Sequence, residues 1–540
     1  MTNVGETFRQ HEVLLTGANG FLGKVVLGLI LDRFPEFKHL HLLIRPGRNS
    51  SAEERFEGEV LGSPALAGIV EAAARRHGES FLRRKITVWS GDLARPDCGL
   101  EPEKMAALAG RIGAIINCAG RVDFFPPLDD SFSANVDGVE HLIALARCAS
   151  AKLLHVSTCY VCGAADGLVE ETEPIPGFYP RRQGRDDPSF RHTEELHHAR
   201  DLIRQIYESA GANGKPAKVN PATRSKAVAQ RLIALGKQRA EHWGWVNTYT
   251  YSKSLGEQLI AAEVGLDYAI VRPAIVESAL RFPFPGWIEG GRTAAPLVLM
   301  ALGGMKHWPV RKDAPLEVVP VDLVASAILA VAALLLDGHE GGRQHPRIYQ
   351  LGTADVNPIH IEPLVALLDA EAQRLGRGRR DRSAVPGFVH RLAQNPSPRP
   401  RPPVKFVSAE RARTERLRVQ KRIDRMQALI AGMRKVLENA KLPGDRALAG
   451  WTAALRTLGL QAAFREQTID QYLPFVLHNR YIFESENIRR AYALIREADR
   501  KLLPWDPERI DWERYWLENQ VQGIERWVQP QAVRDWSFRI

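Results

Sequence analysis

Tyr249 and Lys253 are the residues whose types and spacing most directly indicate chemistry. They stand four apart in VNTYTYSK, so on a helix both side chains project from one face. A lysine beside a phenol stabilises the phenolate and lowers the phenol's pKa, so that the phenol can give a proton to an oxygen that gains charge when a hydride arrives. Because YxxxK is common by chance, it predicts a reductase only in combination with other features.

Two hydroxyls upstream provide one such feature. Ser157 and Thr158 close a short apolar run, and either side chain can share a substrate oxygen with Tyr249 in a small oxyanion hole. Side chains alternate along a strand, so the two hydroxyls are expected to face different ways. Asn135 is a candidate for a proton relay, with helix packing as the equally weighted alternative.

The loop after the first apolar run reads TGANGFLG. Glycines at spacing GxxGxxG permit a tight turn, the close approach of a diphosphate and close packing of a helix on a sheet. The diphosphate would lie on the amides at the N-terminus of the following helix. The loop therefore predicts a dinucleotide site formed by Thr16, Gly17, Asn19, Gly20, Phe21, Leu22 and Gly23.

The end of the second apolar run predicts which dinucleotide binds. An NAD enzyme normally carries an acidic residue about 20 residues after the glycines. Here the run ends in Arg45, with Arg48 nearby and no acidic residue before Glu53. Because a guanidinium attracts a 2′-phosphate, we predict NADPH. Residues after the third and fourth apolar runs are predicted to extend the dinucleotide site, namely Asp92, Leu93, Asn117, Ala119 and Gly120.

Short apolar runs alternate with helical patterns through the first half of the chain. This alternation predicts an α/β fold with a Rossmann-type, doubly wound parallel sheet that binds ligands at the carboxyl ends of its strands. We expect an amphipathic helix at Phe21–Arg33 and a buried core helix at Leu323–Leu336 with Asp322 as its N-cap. The predicted strands are Glu12–Thr16, Leu40–Ile44, Ile86–Trp89, Ala114–Asn117, Leu153–Ser157 and Tyr268–Arg272.

Two segments interrupt this alternation. Residues 178–247 are polar and predict a helical insertion, and residues 376–403 are rich in Arg and Pro and predict a linker. We therefore expect a reductase domain at 1–375, with its substrate side at 273–317, and a smaller, mainly helical domain at 404–540.

Composition narrows the partners and the location. Five cysteines in 540 residues do not form a disulfide framework, and the single CxxC lacks the second ligand pair of a metal site, so we predict no metal. No signal peptide or membrane span is evident, which predicts a cytoplasmic protein. The net charge is +10, and the excess of basic residues is concentrated in residues 374–425. This basic region predicts attraction to the phosphates of CoA, to an acidic carrier protein or to a membrane surface. The alternative is that the region is a solvated linker and helix face, and no nucleic-acid-binding motif accompanies it.

In combination and in this order, the motifs resemble the fatty acyl-CoA reductases, which share their fold with thioester-reductase domains. The resemblance runs from about Glu12 to Leu336 and rests on TGANGFLGKVVLGLIL, LLIRPG, GDL, INCAGRVDFFPPLDDSFSANVDG, VSTCYVCG, YTYSK and VRPAIVESALRFPFPGW. A weaker match follows in YIFESENIRRAYALI and WDPERIDWERYW. It is similar to the helical C-terminal domain of those reductases.

The resemblance implies an extended short-chain dehydrogenase in which the second hydroxyl of such a pair is catalytic, which favours Thr158 and keeps Ser157 in reserve. The VRPAIV motif adds Arg272, Pro273 and Ile275 to the cofactor site. The implied activity is NADPH-dependent reduction of a long-chain acyl-CoA or acyl carrier protein thioester to the alcohol through a bound aldehyde. The alternatives are a reductase that releases the aldehyde, a nucleotide-sugar epimerase or dehydratase, and a non-catalytic NADP-binding redox sensor.

Overall fold

The structure is a computed structural model that describes most of the chain. It describes residues 1–172, 175–182, 184, 187–211, 220–290, 295–302, 305, 307–338, 346–378, 404–440, 472, 475 and 478–528.

A seven-stranded parallel sheet forms the centre of the fold. Its order is β11-β7-β5-β4-β1-β2-β3, the doubly wound Rossmann arrangement, so the predicted fold class is confirmed. All six predicted strands are present within two residues of their expected ends, and β11 was not predicted. In chain order the strands are β1 (Glu12–Thr16), β2 (His39–Ile44), β3 (Ile86–Ser90), β4 (Ile112–Asn117), β5 (Lys152–Val156), β6 (Asp166–Val169), β7 (Tyr268–Pro273), β8 (Ile275–Glu277), β9 (His307–Trp308), β10 (Val318–Pro320), β11 (Ile348–Leu351), β12 (Lys405–Phe406) and β13 (Arg480–Phe483).

The described part of the chain also forms eighteen α-helices. No described helix combines the length and apolar character that a membrane span requires. In chain order they are α1 (Val4–Gln10), α2 (Phe21–Arg33), α3 (Ala52–Arg55), α4 (Pro64–His77), α5 (Phe81–Lys85), α6 (Pro102–Leu108), α7 (Leu128–Phe132), α8 (Gly138–Ala149), α9 (His192–Glu208), α10 (Lys226–Trp243), α11 (Thr248–Ala262), α12 (Ala295–Leu302), α13 (Val321–Asp337), α14 (Ile361–Gly378), α15 (Ala409–Ala440), α16 (Glu486–Ala493), α17 (Glu497–Leu502) and α18 (Trp512–Arg514).

Helix α2 has the predicted bounds but not the predicted amphipathic character. Every residue from Gly23 to Leu31 is buried, because α4 and α13 pack against it and leave no wide solvent-facing side. A helix that is apolar all round is typical of a core position. The prediction of an amphipathic α2 was therefore wrong.

Helix α13 is the predicted core helix, but Asp322 is not its N-cap. The cap is Pro320, and Asp322 lies inside the first turn. Its buried carboxylate accepts hydrogen bonds from the backbone amides of Leu280, Arg281 and Phe282 at 2.8, 2.9 and 3.2 Å. Asp322 therefore holds the chain that leaves β8, a role that needs tertiary structure and has no local sequence signal.

The predicted insertion contains α9 and α10, and both pack against α11. The buried carboxylate of Glu195 in α9 accepts hydrogen bonds from Arg239 in α10 and from the hydroxyl of Tyr251 in α11. An apolar cluster that includes Leu232, Trp245 and Leu255 surrounds this group. The insertion thus fixes α11, which carries Tyr249 and Lys253.

The chain forms two compact units. The first contains residues 1–293, 317–358 and 481–540, and the second contains 294–316 and 359–480. The predicted linear division at 375 and 404 does not coincide with these units, since the described residues 481–528 belong to the same unit as the sheet. Most of the predicted linker, residues 379–403, lies outside the described residues, and the linker stays a prediction.

Buried polar contacts explain why the last residues belong to the first unit. Glu317 accepts from the amide of Phe483 at 2.7 Å, and the amide of Ser278 donates to the Gln520 side chain at 3.0 Å. These bonds join residues more than 160 positions apart, so no local pattern predicts them.

We predict that Asp322→Ala lowers the free energy of unfolding by about 3 kcal/mol, because it leaves three backbone amides without an acceptor. Denaturant unfolding measures the change. Glu71→Ala, which removes an exposed ion pair with Arg75 in α4, is the control and should cost less than about 1 kcal/mol. Equal stability of the two variants would contradict the role given to Asp322.

Candidate active site

The site is built at the carboxyl end of the parallel sheet, where α11 approaches β4 and β5. Asn247 caps α11 and accepts from the amide of Thr250 at 2.8 Å. Tyr249 therefore lies in the first turn and Lys253 one turn later, as their spacing predicts. The Lys253 side chain is buried, and the Tyr249 ring is partly buried.

Thr158, the hydroxyl favoured from the sequence, lies beside the Tyr249 hydroxyl, within reach of a hydrogen bond that favours the phenolate. Thr158 is buried and caps the 3₁₀ turn Cys159–Cys162. Burial raises the pKa of Tyr249 to about 12, and the bond from Thr158 opposes that rise. Lys253 is not among the groups that shift this pKa, and its predicted influence on Tyr249 stays a prediction.

Lys253 is directed toward β5. Its Nζ donates to the Val156 carbonyl oxygen at 2.6 Å and lies 3.0 Å from Nε2 of His155. Burial lowers the pKa of Lys253 to about 8. The amine is thus held by two groups at the end of β5.

A chain of buried polar side chains runs across three neighbouring strands to Lys253. Thr16 of β1 donates to Oδ1 of Asn117 in β4 at 2.6 Å, and Nδ2 of Asn117 lies 2.9 Å from Nδ1 of His155 in β5. The register aligns the three residues, since Thr16 pairs with Asn117 and Asn117 pairs with His155. We call Thr16, Asn117, His155 and Lys253 the polar chain.

The glycine loop fits a bound dinucleotide. Gly17 has a φ of +73°, and a Cβ there would lie 2.7 Å from the Ala119 nitrogen; a Cβ on Gly23 would lie 2.1 Å from the Gly17 oxygen. A side chain is therefore excluded at Gly17 and at Gly23, which keeps the backbone of the loop accessible. Gly20 caps α2 without a side-chain hydrogen bond, so the first amides of the helix, at Phe21 and Leu22, are suited to a diphosphate.

The remaining cofactor candidates lie in the loops after β1, β2, β3 and β4. Arg45 and Arg48 are exposed after β2, at the position expected for a ribose phosphate. Asn19 reaches Glu59, at 3.4 Å, which also binds Arg55. The others make local contacts: Asp92 accepts from the Ala94 amide, the Leu93 carbonyl binds His141, and Gly120 leaves space beside Asn135.

Candidates on β7 and β8 contribute mainly to the scaffold. The guanidinium of Arg272 is buried and pairs with Glu257 of α11. The Pro273 carbonyl lies 3.4 Å from the Thr158 hydroxyl, and the Ile275 amide binds the Glu317 carbonyl. Direct contact of these three with a cofactor stays a prediction.

Two polar candidates behave differently in the structure. The buried hydroxyl of Ser157 has no hydrogen-bond partner among the described residues, which suits a residue that meets a ligand. Asn135 binds both backbone polar groups of Arg121 and the hydroxyl of Ser252. Its side chain thereby joins the loop after β4 to α11, which favours the packing alternative over the relay.

Sequence reasoning missed His155, Glu257 and Glu195. A signal for His155 was available, because it lies near the end of a predicted strand, as Asn117 does, and parallel strands end at one edge of a sheet. Glu257 and Glu195 had no such signal, since their partners are brought together only by helix packing.

A family model described as male sterility protein matches residues 15–328, which is more than half of the chain. The chain belongs to the male sterility protein family. It is accordingly an oxidoreductase with a nicotinamide cofactor, and the predicted resemblance to fatty acyl-CoA reductases is confirmed by its relatives.

Two plant relatives align along almost their whole length. Probable fatty acyl-CoA reductase 4 of Arabidopsis thaliana is 27% identical over 535 residues, covering 98% of this chain and 99% of the relative. Alcohol-forming fatty acyl-CoA reductase of Simmondsia chinensis is 27% identical over 536 residues, covering 97% and 98%. Among solved structures, the reductase domain of a non-ribosomal peptide synthetase from Mycobacterium tuberculosis is similar, with 18% identity, a TM-score of 0.48 and coverage of 97% and 95%.

We predict that Thr158→Val lowers kcat about 100-fold, because it removes a hydroxyl that lies beside that of Tyr249 and binds the reacting oxygen. Ser157→Ala is the matched control and should lower kcat less than about fivefold. Steady-state kinetics with circular dichroism of each variant measures both effects. The opposite order would move the catalytic assignment to Ser157.

Proposed function

We propose that this protein reduces long-chain fatty acyl thioesters to fatty alcohols with NADPH, through an aldehyde that stays bound. The observation that carries the proposal is the placement of the Thr158 hydroxyl beside that of Tyr249, with Lys253 one helical turn from Tyr249 and a glycine loop suited to a dinucleotide after β1. Two relatives named fatty acyl-CoA reductases that match along the full chain support the substrate class.

The cofactor is assigned to residues after β1, β2 and β4. The diphosphate would lie on the amides of Phe21 and Leu22, and the 2′-phosphate beside Arg45 and Arg48, which are positively charged and exposed. When bound, NADPH supplies the hydride that reduces the thioester carbonyl.

Thr158 and Tyr249 act on the carbonyl oxygen. Because Thr158 lies beside the Tyr249 hydroxyl, we place the substrate oxygen where both hydroxyls can reach it, as an oxyanion hole requires. Tyr249 gives its proton to that oxygen as negative charge develops, which yields a hemithioacetal. Lys253, as the ammonium ion, would stabilise the phenolate left on Tyr249.

The hemithioacetal then breaks its carbon–sulfur bond. The hydroxyl proton leaves as the C=O bond re-forms, and the thiolate departs with the bonding pair and takes up a proton. The aldehyde that remains presents the same carbonyl oxygen to Thr158 and Tyr249, so a second reduction needs no additional site. The acyl-chain site, at residues 273–317, and the choice between CoA and carrier protein stay predictions.

The described part of the Arg-rich region supports the proposed contact with anionic partners. Arg411, Arg418 and Arg422 are exposed on α15, and their spacing of seven and four places them on one helix face. A cationic face of this kind attracts the phosphates of CoA, an acidic carrier protein or an anionic membrane surface.

The proposal predicts that the protein oxidises two NADPH for each palmitoyl-CoA consumed and forms hexadecanol. Absorbance at the NADPH band, thiol release and product chromatography measure the three quantities together, with Tyr249→Phe as the inactive control. One NADPH per thioester with free hexadecanal would instead indicate the aldehyde-releasing reductase. No turnover of an acyl-CoA, a carrier-protein thioester or a fatty aldehyde would contradict the function.

We predict that Arg45→Asp raises the KM for NADPH at least 10-fold and leaves kcat within about threefold, because it replaces an attraction to the 2′-phosphate with a repulsion. The preference for NADPH over NADH should fall in proportion. Arg83→Ala, an exposed arginine on α5, is the control. An unchanged preference would place the 2′-phosphate elsewhere, and a higher rate with NAD than with NADP would favour the epimerase alternative.

A further inference from the structure

Among the described residues, the two ring nitrogens of His155 each have a single close partner. Nδ1 lies 2.9 Å from Nδ2 of Asn117, and Nε2 lies 3.0 Å from Nζ of Lys253. The ring is buried, and burial holds its pKa well below the usual value, so it is neutral. A neutral imidazole has one donor and one acceptor nitrogen, and its partners determine which is which.

Asn117 determines the tautomer. Its Oδ1 accepts from the hydroxyl of Thr16 at 2.6 Å and from the backbone amide of Ala119 at 3.1 Å. A backbone amide can only donate, so this side of the Asn117 amide must be the oxygen. Nδ2, which can only donate, therefore faces His155, and Nδ1 of His155 must accept.

It follows that the ring proton of His155 is on Nε2 and points to Lys253. An ammonium ion has no lone pair to accept this hydrogen bond, whereas a neutral amine has one. With a neutral Lys253, every bond in the polar chain is satisfied: Nε2–H donates to Nζ, and Nζ donates to the Val156 carbonyl at 2.6 Å. With a charged Lys253, two N–H groups oppose each other at 3.0 Å.

We propose that His155 is a positioning residue that favours the neutral amine of Lys253, so that the ammonium ion that Tyr249 needs is lost as the pH rises above neutrality. The consequence for catalysis rests on the proposed function, because it assumes that charged Lys253 stabilises the phenolate. The tautomer and the neutral amine rest on the geometry alone.

The other groups that face Lys253 do not remove this constraint. Cys118, after β4, is a thiol whose pKa burial raises to about 12, so it is uncharged. Glu257, one turn along α11, favours the ammonium ion, but its carboxylate is paired with Arg272 of β7. Tyr249 is itself protonated. His155 presents its Nε2–H group to Nζ at 3.0 Å, and this contact adds to the effect of burial in opposing the charge.

The proposal predicts that catalytic efficiency falls as the pH rises. The pKa of Lys253 is lowered to about 8, so the ammonium form is lost as the pH rises through 8. Turnover by the proposed mechanism needs that form, and kcat/KM should therefore fall above pH 8. His155→Gln places an amide where Nε2 lies, and its oxygen can accept from the ammonium ion. This variant should shift the fall in kcat/KM upward by at least one pH unit, about a 10-fold weaker acid.

The deciding experiment uses the full-length, cofactor-free protein and two readouts that need no turnover. Nitrogen-15 NMR of histidine-labelled protein, with His155 assigned by loss of its signals in His155→Gln, reports which nitrogen carries the proton. Acetylation of Lys253 by acetic anhydride as a function of pH, followed by mass spectrometry, reports the pKa of its amine. His41→Gln is the control, since His41 is equally buried on β2 but binds Glu12 and Trp89.

We expect the His155 proton on Nε2 and acetylation of Lys253 with a midpoint near pH 8 in the wild-type and His41→Gln proteins, and a midpoint at least one unit higher in His155→Gln. A proton on Nδ1, or a Lys253 midpoint that does not respond to His155→Gln, would overturn the proposal. Absence of thioester turnover would instead contradict the proposed function and leave both readouts interpretable.

Discussion

The polar chain from Thr16 through Asn117 and His155 to Lys253 is the constraint on which the site depends. It crosses three parallel strands in the buried interior, where an unsatisfied polar group would cost about 1–3 kcal/mol. Its members must therefore keep one arrangement. That arrangement ties the residue before the glycine loop to the lysine on α11, so the cofactor loop and the catalytic helix are placed relative to each other by hydrogen bonds as well as by packing.

Packing against neighbouring elements is the second restraint on α11. Glu195 joins α9, α10 and α11 through Arg239 and Tyr251, and Glu257 joins α11 to β7 through Arg272. Carboxylates buried in this way are stabilising only when their partners remain in place. The insertion is thus part of the support of Tyr249 and Lys253, although it lies outside the Rossmann alternation.

Local signals account for what the sequence predicted well. Strands β1 to β5 and β7, the bounds of α2, and the helix that presents Tyr249 and Lys253 follow from periodicity, glycine spacing and a four-residue interval. The errors share another cause. Four features depend on contacts between segments far apart in the chain: the all-round burial of α2, the carboxylate of Asp322 bound to three distant amides, the direction of Lys253 toward His155, and the place of residues 481–528 in the unit that contains the sheet. No local pattern encodes them.

In the proposed mechanism, hydride passes from NADPH to one carbonyl carbon twice at the site formed by Thr158, Tyr249 and Lys253. The most direct test is the mass of hexadecanol formed from palmitoyl-CoA with NADPH that carries two deuterium atoms at C4 of the nicotinamide. We expect two deuterium atoms on C1 of the alcohol, and none when solvent is the only deuterium source. Hexadecanol with fewer than two deuterium atoms on C1 would contradict the account.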